Sequence, residues 1–205
     1  QRQMCIRDRL SVYQNDVDDY IDMDSIDRPG VLNPCVAPGP GGRCFARLPF
    51  DAVTYVNINE ARIRGVELEG AYDWGWGFAG VAGSYTEGKN RETNAPLDSI
   101  FPARVTTTVG FRAMENRLSY GARWHWVDAK GADDVSSPEL ATSAYNLVDL
   151  FLAYEPNDDT RFDVSLKNVF DHEYVAYTGG PNIDSFSAPG FEAMVGMTFK
   201  LGVPR

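Results

Sequence analysis

Residues Asn57 to Gly70, read NINEARIRGVELEG, constrain the fold more than any other stretch of the chain. Apolar and charged side chains alternate through it. Ile63 shares a parity with Ala61, whereas Val66, Leu68, Gly70, Tyr72 and Trp74 share the other, so the apolar stripe changes sides at Gly65. A period of two defines a β-strand, and a change of phase at a glycine predicts a bulge there. The face opposite the second stripe carries Glu67, Glu69 and Asp73, charges that a strand buried on both sides would not tolerate.

The same period recurs along the chain, which is therefore expected to be all-β. A first strand is predicted over about Leu10 to Met23, with Ser11, Tyr13, Val17, Ile21 and Met23 on one face and Asp16, Asp18 and Asp22 on the other. The second covers about Val53 to Trp74, and the third about Phe78 to Lys89. Val105, Thr107, Val109 and Phe111 mark a fourth, and Leu118, Tyr120, Ala122, Trp124 and Trp126 a fifth. Val148 to Tyr154 forms the sixth. The seventh contains Phe162, Val164 and Leu166 and is read as continuing through Asn168 to Tyr174, and the eighth has an apolar face from Phe191 to Leu201. Turns at Gly75–Gly77, Glu115–Asn116 and Pro156–Asp159 are short; the stretches 28–49, 90–102, 128–143 and 178–190 are long. Long and short connections alternate, as they do in outer-membrane barrels.

Composition narrows the setting. Among 205 residues with a formal charge of −10, no apolar run approaches the roughly 18 residues of a membrane-spanning helix. A mean hydropathy of −0.31 is still compatible with a membrane barrel, because each strand alternates polar with apolar. Nucleic acid is excluded as a partner, since no basic stripe is present. A soluble β-sandwich would also alternate. Against it stand the expected strand lengths and the rings of Tyr72, Trp74, Tyr85, Trp124, Trp126 and Tyr154 near strand ends, where membrane girdles form.

Two blocks carry a family resemblance. Asn57, Ala61, Arg62, Ile63, Gly65, Val66 and Glu67 resemble the signature strand in the C-terminal half of TonB-dependent outer-membrane receptors. Asn168, Phe170, Asp171 and Tyr174, within NVFDHEY, resemble a motif near the end of the same barrels. Gly196, Phe199 and Leu201 resemble the C-terminal signal read by the barrel assembly machinery, although Gly-Val-Pro-Arg follows where relatives commonly stop at an aromatic residue. The resemblance implies about eight C-terminal strands of a transmembrane antiparallel barrel of about 22 strands, in the outer membrane of a Gram-negative cell. It implies a transporter, not an enzyme, coupled to the TonB energy complex through a plug and coupling box upstream. The loop GKNRETNAPLDSIFP, Gly88 to Pro102, resembles one in the haem and haemoglobin receptor branch. Haem or a haem protein is the favoured cargo, a ferric siderophore the next, and no covalently bound cofactor is implied. The alternative is a complete eight-stranded barrel with a structural or adhesive role.

The segment Met4 to Arg9 resembles the translated end of a sequencing adapter, so residues 1–9 are expected to be non-native and 10–205 to be the receptor portion. Cys35 and Cys44 are either two unrelated thiols or, as an oxidising compartment favours, a loop disulfide. His125 and His172 are expected to serve structure, not haem ligation. The acidic set Asp16, Asp18, Asp19, Asp22, Asp24 and Asp27 matches no calcium-loop spacing, so no metal site is expected. No nucleophile, base and orienting acid fall into a catalytic arrangement. Arg62, Arg64, Glu67 and Glu69 are expected to form salt bridges facing the lumen, and the bilayer's lipid is the expected surrounding partner.

Overall fold

The computed structural model describes residues 5–26, 52–136, 140–179 and 187–200. They form one antiparallel sheet of eight strands in sequence order. The strands are β1 (Cys5–Ile26), β2 (Ala52–Asp73), β3 (Gly77–Asn90), β4 (Arg104–Ala113), β5 (Leu118–Val127), β6 (Tyr145–Asn157), β7 (Thr160–Lys167) and β8 (Glu192–Phe199). Among the described residues β1 pairs only with β2 and β8 only with β7, so the sheet does not close on itself. Among the described residues the strands leave for the long connections at one end of this meander and for the short turns at the other, as the loop lengths predicted.

Cross-strand pairing aligns the faces. A single row runs Ile6, Tyr72, Ala79, Val109, Ala122, Leu150, Leu166, Ala193 across all eight strands, and it is apolar throughout. Rows of opposite parity mix charge with small residues, as in Arg9, Glu69, Ala82, Thr106, His125, Leu147. The apolar face has nothing packed on it: Leu10, Leu150 and Val195 remain 68%, 42% and 79% exposed. A contiguous apolar surface of this extent marks a contact with lipid. On β5 it reaches from Tyr120 to Trp126, about 20 Å along the strand at about 3.3 Å per residue. An aromatic chain borders it at the short-turn end, where Tyr72, Trp74, Trp76, Phe111 and Tyr120 follow one another at centroid spacings of 5.5–5.9 Å. At the long-loop end Tyr85, Trp124 and Trp126 have the same outward parity.

Several expectations need correction. Gly65 is not a bulge: pairing runs unbroken through Arg64↔Gln14, Gly65↔Tyr13 and Val66↔Val12, and equally through Gly65↔Thr86. The apolar stripe changes sides because the surroundings do. Below Gly65 the even-numbered residues of β2 face lipid; above it the odd-numbered Ala61 and Ile63 face inward under a folded-back loop. Arg62 and Arg64, expected in the lumen, therefore share the outward face of Val66 and Leu68, while Glu67 and Glu69 do face inward. On β1 the lipid-facing residues are Leu10 and Val12, opposite Leu68 and Val66, whereas Ser11 and Tyr13 point inward. The irregularity in this strand pair falls instead at Asp19, in the left-handed region with φ 55°. Beyond it Tyr20 and Asp22 contact the inner loop through Ser99 and Asp98.

Strand β1 also begins earlier than expected, at Cys5, paired with Asp73. Trp74 lies in the turn after β2. The block from Asn168 to Tyr174 does not prolong β7. Asn168 and Asp171 take positive φ values of 47° and 50°, which Asn and Asp tolerate better than other side chains, and the chain turns away from the sheet. Leu201, Cys35 and Cys44 lie outside the described residues.

Candidate functional site

The long-loop end is built by folding loops back over the inner wall. In the connection after β3, Asn90 Oδ1 accepts from the backbone N–H groups of Glu92 and Thr93 at 2.8 and 3.2 Å, and Leu97 N–H donates to Gly88 O at 3.1 Å. This return places Leu97 and Ile100 against Ala61, with Tyr20, Ile58 and Ile63 around them. Leu97 is fully buried, a gain of roughly 1.5–3 kcal/mol. Ser99 adds a bond to Tyr20, Oγ to hydroxyl, at 2.7 Å.

Next to that cluster is a buried polar knot. The Asp98 carboxylate, 3% exposed, accepts from Ser136 N–H at 2.8 Å and from the Ser136 hydroxyl. Its own N–H donates to Asp22 Oδ2 at 3.2 Å, and its carbonyl accepts the Tyr177 hydroxyl at 2.5 Å. Lys130 is also buried, its Nζ 5.5 Å from the centroid of the Tyr177 ring. Burial lowers the Lys130 pKa against the opposing pull of Asp134, Asp98 and Asp22. Burial raises that of Tyr177, reinforced by Asp98 and Asp22. The end of β1 and three long connections are thus held at one point, where an unpaired charge would be costly.

A cleft of about 610 Å³ lies beside the knot, bordered by Ser143, Tyr145, His172, Tyr174 and Ser187. Its size is that of small-molecule sites. The Tyr145 and Tyr174 rings are 4.4 Å apart between centroids. Asn168 shapes this wall. Its side chain both donates to His172 O and accepts from His172 N–H, each at 2.9 Å, while its N–H donates to Asp149 Oδ1 at 2.9 Å. Asp171 Oδ1 accepts Phe191 N–H at 2.8 Å, tying the turn to the approach of β8, and Phe170 is 76% exposed.

The two histidines are separately placed. His125 lies on the inner wall with Nδ1 3.1 Å from Thr106 Oγ1 and Nε2 3.2 Å from Asp149 Oδ2, so both ring nitrogens are engaged. His172 borders the cleft and makes its hydrogen bonds to Asn168 through its backbone. Of the signature residues, Asn57 is exposed, Ala61 and Gly65 are buried, and Arg62 binds Asp16 at 2.7 Å. Gly196 and Phe199 lie in β8 on opposite parities, Phe199 with the lipid-facing set. Asp16 is thus in an ion pair and Asp22 in the knot, and among the described residues no three potential ligands converge on a metal position. Sequence reasoning missed Lys130, Ser136 and Tyr177 entirely. The one available signal was the loop motif containing Asp98.

A lipid-facing band, a charged inner wall and long connections knotted over that wall define a segment of a transmembrane β-barrel. The chain belongs to the family described as TonB dependent receptor-like, beta-barrel, which it matches over residues 9–169. It is similar to the hemin receptor of Yersinia enterocolitica, 31% identical over 147 residues, covering 70% of this chain and 20% of that protein. It is 26% identical over 168 residues to the heme/hemopexin utilization protein C of Haemophilus influenzae, covering 79% of this chain and 22% of the relative. The chain therefore spans about a fifth of the length of the curated relatives it matches. The solved copper transporter OprC superposes with a TM-score of 0.73 at 18% identity, over 95% of this chain and 28% of the other. That likeness shows the fold alone.

Proposed function

We propose that this chain is the C-terminal barrel portion of a TonB-dependent outer-membrane receptor that imports a scarce iron-containing ligand, with haem or a haem protein as the cargo. The observation that carries this reading is the long-loop end: connections knotted through Asp98, Lys130 and Tyr177 over a polar inner wall, beside a cleft of about 610 Å³. Two named relatives, a hemin receptor and a heme/hemopexin utilization protein, support haem over a ferric siderophore. The iron chelate is cargo, and no resident cofactor or catalytic role is assigned.

The parent would work with the TonB complex through its upstream plug and coupling box, and the barrel assembly machinery would insert it, with Gly196, Phe199 and Leu201 as its signal. Residues 1–9 are assigned to adapter sequence and 10–205 to the receptor. Among the described residues both edges of the sheet are unpaired, which argues against a small barrel complete in eight strands. The test is growth of an iron-starved Gram-negative host, lacking its own haem receptors, that carries the full-length parent. Growth on haemin that disappears without TonB is expected. Growth only on a ferric siderophore would reassign the cargo, and growth on neither would overturn the uptake reading.

A further inference from the structure

The cleft's walls belong to two different connections. Ala141 to Tyr145 lead into β6, and His172 to Val175 follow β7. What joins them is buried. Val135 and Leu140 of the first connection form one apolar cluster with Tyr177 of the second, and Ala141 and Val175 pack against it from the two walls. Backbone bonds of 2.9 and 3.0 Å pair Lys130 with Thr142, so the ammonium over the Tyr177 ring and the Thr142 edge of the cleft belong to one short ladder.

A third connection, the one after β3, anchors both. Asp98 does not border the cleft. Its carboxylate nevertheless accepts the N–H and hydroxyl of Ser136, and its carbonyl accepts the Tyr177 hydroxyl. Phe101 meets the Tyr177 ring edge-on at 5.9 Å between centroids. Gly179, with φ 74°, lies where a Cβ would stand 3.6 Å from the Asp98 carbonyl oxygen. Breaking any one of these bonds leaves a buried polar group unsatisfied, a larger penalty than the bond's own net worth. Groups tied in this way open together, as a cooperative unit.

We infer that Asp98, Lys130, Ser136 and Tyr177 form a single cooperative brace, and that through it Asp98 is a positioning residue for a cleft it does not touch. The brace fixes the spacing of the two walls, so the connection after β3 governs the cleft from outside it. That the cleft takes cargo rests on the uptake reading above; the brace itself rests on the bonds alone.

The test uses the detergent-purified full-length parent, with heat-modifiable migration to establish that each variant is a folded barrel. Asp98→Ala removes the acceptor of both Ser136 donors. Amide hydrogen exchange should then become about tenfold to a hundredfold faster, in all three connections and at the Tyr20–Asp22 end of β1 together. Asp98→Asn keeps an acceptor for the Ser136 N–H and should restore most of the protection. Asn90→Ala, which removes only the bonds to Glu92 and Thr93 within the connection after β3, should speed exchange there alone. Spin labels on Ala144→Cys and Glu173→Cys report the distance across the cleft, which should be narrow in the wild type and broaden with Asp98→Ala. If Asp98→Ala misassembles, Tyr177→Phe carries the test, with about fivefold faster exchange over the same segments. Faster exchange confined to the connection that bears the substitution, or an unchanged distance distribution, would overturn the brace. Haemin titration reads the positioning role: Asp98→Ala should weaken binding, Asp98→Asn restore it and Asn90→Ala leave it unaltered, whereas equal affinity of wild type and Asp98→Ala would overturn that role. Failure of the wild type to bind haemin would refute the cargo reading, and exchange and distance would still decide the brace.

Discussion

Replacing Gly65 by alanine tests how the inner wall is held together. Tyr13 on β1 reaches over Gly65 of β2 to bond Thr86 of β3 at 3.0 Å, so the ring bridges three strands. A Cβ at position 65 would stand 2.6 Å from the Tyr13 hydroxyl and 2.7 Å from the Tyr85 carbonyl oxygen. The tyrosine can swing aside only by giving up its bond to Thr86, worth about 1 kcal/mol. The Tyr85 carbonyl is backbone in β3 and cannot retreat without disturbing the β2–β3 pairing. Overpacking of this kind costs about 1–3 kcal/mol, so Gly65→Ala should lose roughly 2–4 kcal/mol in total. Tyr13→Phe, which removes only the hydroxyl, should lose about 1 kcal/mol. Combining Gly65→Ala with Tyr13→Ala should cost less than the sum of the single changes, because the ring that clashes is gone. Urea unfolding of the detergent-refolded full-length parent, followed by tryptophan fluorescence, gives these differences. A Gly65→Ala variant within about 0.5 kcal/mol of wild type, or strictly additive costs, would refute the reasoning.

The buried phenol of Tyr177 makes the loop knot sensitive to alkali. Its folded pKa lies above the ordinary value of about 10 because burial disfavours the phenolate. The contribution of Tyr177 is therefore intact below that pH and declines as pH rises through the ordinary value toward the folded one. Limited proteolysis of the long connections should accelerate above about pH 10, and Tyr177→Phe should remove that part of the pH dependence; an unchanged profile would contradict it. Labelling of single cysteines in the parent checks orientation. A cysteine at Asp133, in a long connection, should react with an impermeant maleimide on intact cells, and one at Asn157, the last residue of β6 at a short turn, should react only after lysis; the reverse pattern would invert the topology.

Alternation was legible in the sequence wherever one face met lipid and the other met polar groups. For β3 to β7 this condition holds along most of each strand, and the alternation through Val109, Trp124, Leu150 and Val164 agrees with the pairing. It fails on the 22-residue β2, which outruns the bilayer. Alternation itself continues, but the outward side passes from lipid to water and the inward side from water to the Leu97–Ile100 cluster. The sequence records that exchange as a shift of phase, which is indistinguishable from a bulge until the partners' register is known. Arg62 and Arg64 were misplaced for this reason. The block at Asn168 misled differently: Val169 and Phe170 continue an apolar look, while the left-handed Asn168 and Asp171 end the strand. The knot was illegible because its bonds join residues 76 and 79 positions apart and nothing local ties Asp22 or Tyr177 to Asp98.

Within the sheet itself, the inward side chains of a polar wall are steadied by their neighbours on adjacent strands. One inward row reads Phe78, Gly110, Gly121, Phe151 over β3 to β6, and the two rings lie 6.4 Å apart over the paired glycines. A Cβ at Gly110 would meet the Phe78 ring, and one at Gly121 the Phe151 ring. Tyr13 over Gly65 repeats the device on β1 to β3. Arg112 then lies 4.9 Å from the centroid of Phe78 while holding Asp73 at 2.8 and 2.9 Å, which joins the aromatic row to the short-turn end of β2. Glycine in these strands exchanges backbone entropy for a seat in which a neighbour's ring can lie flat. Apolar area is thereby buried within the wall itself, ring against glycine.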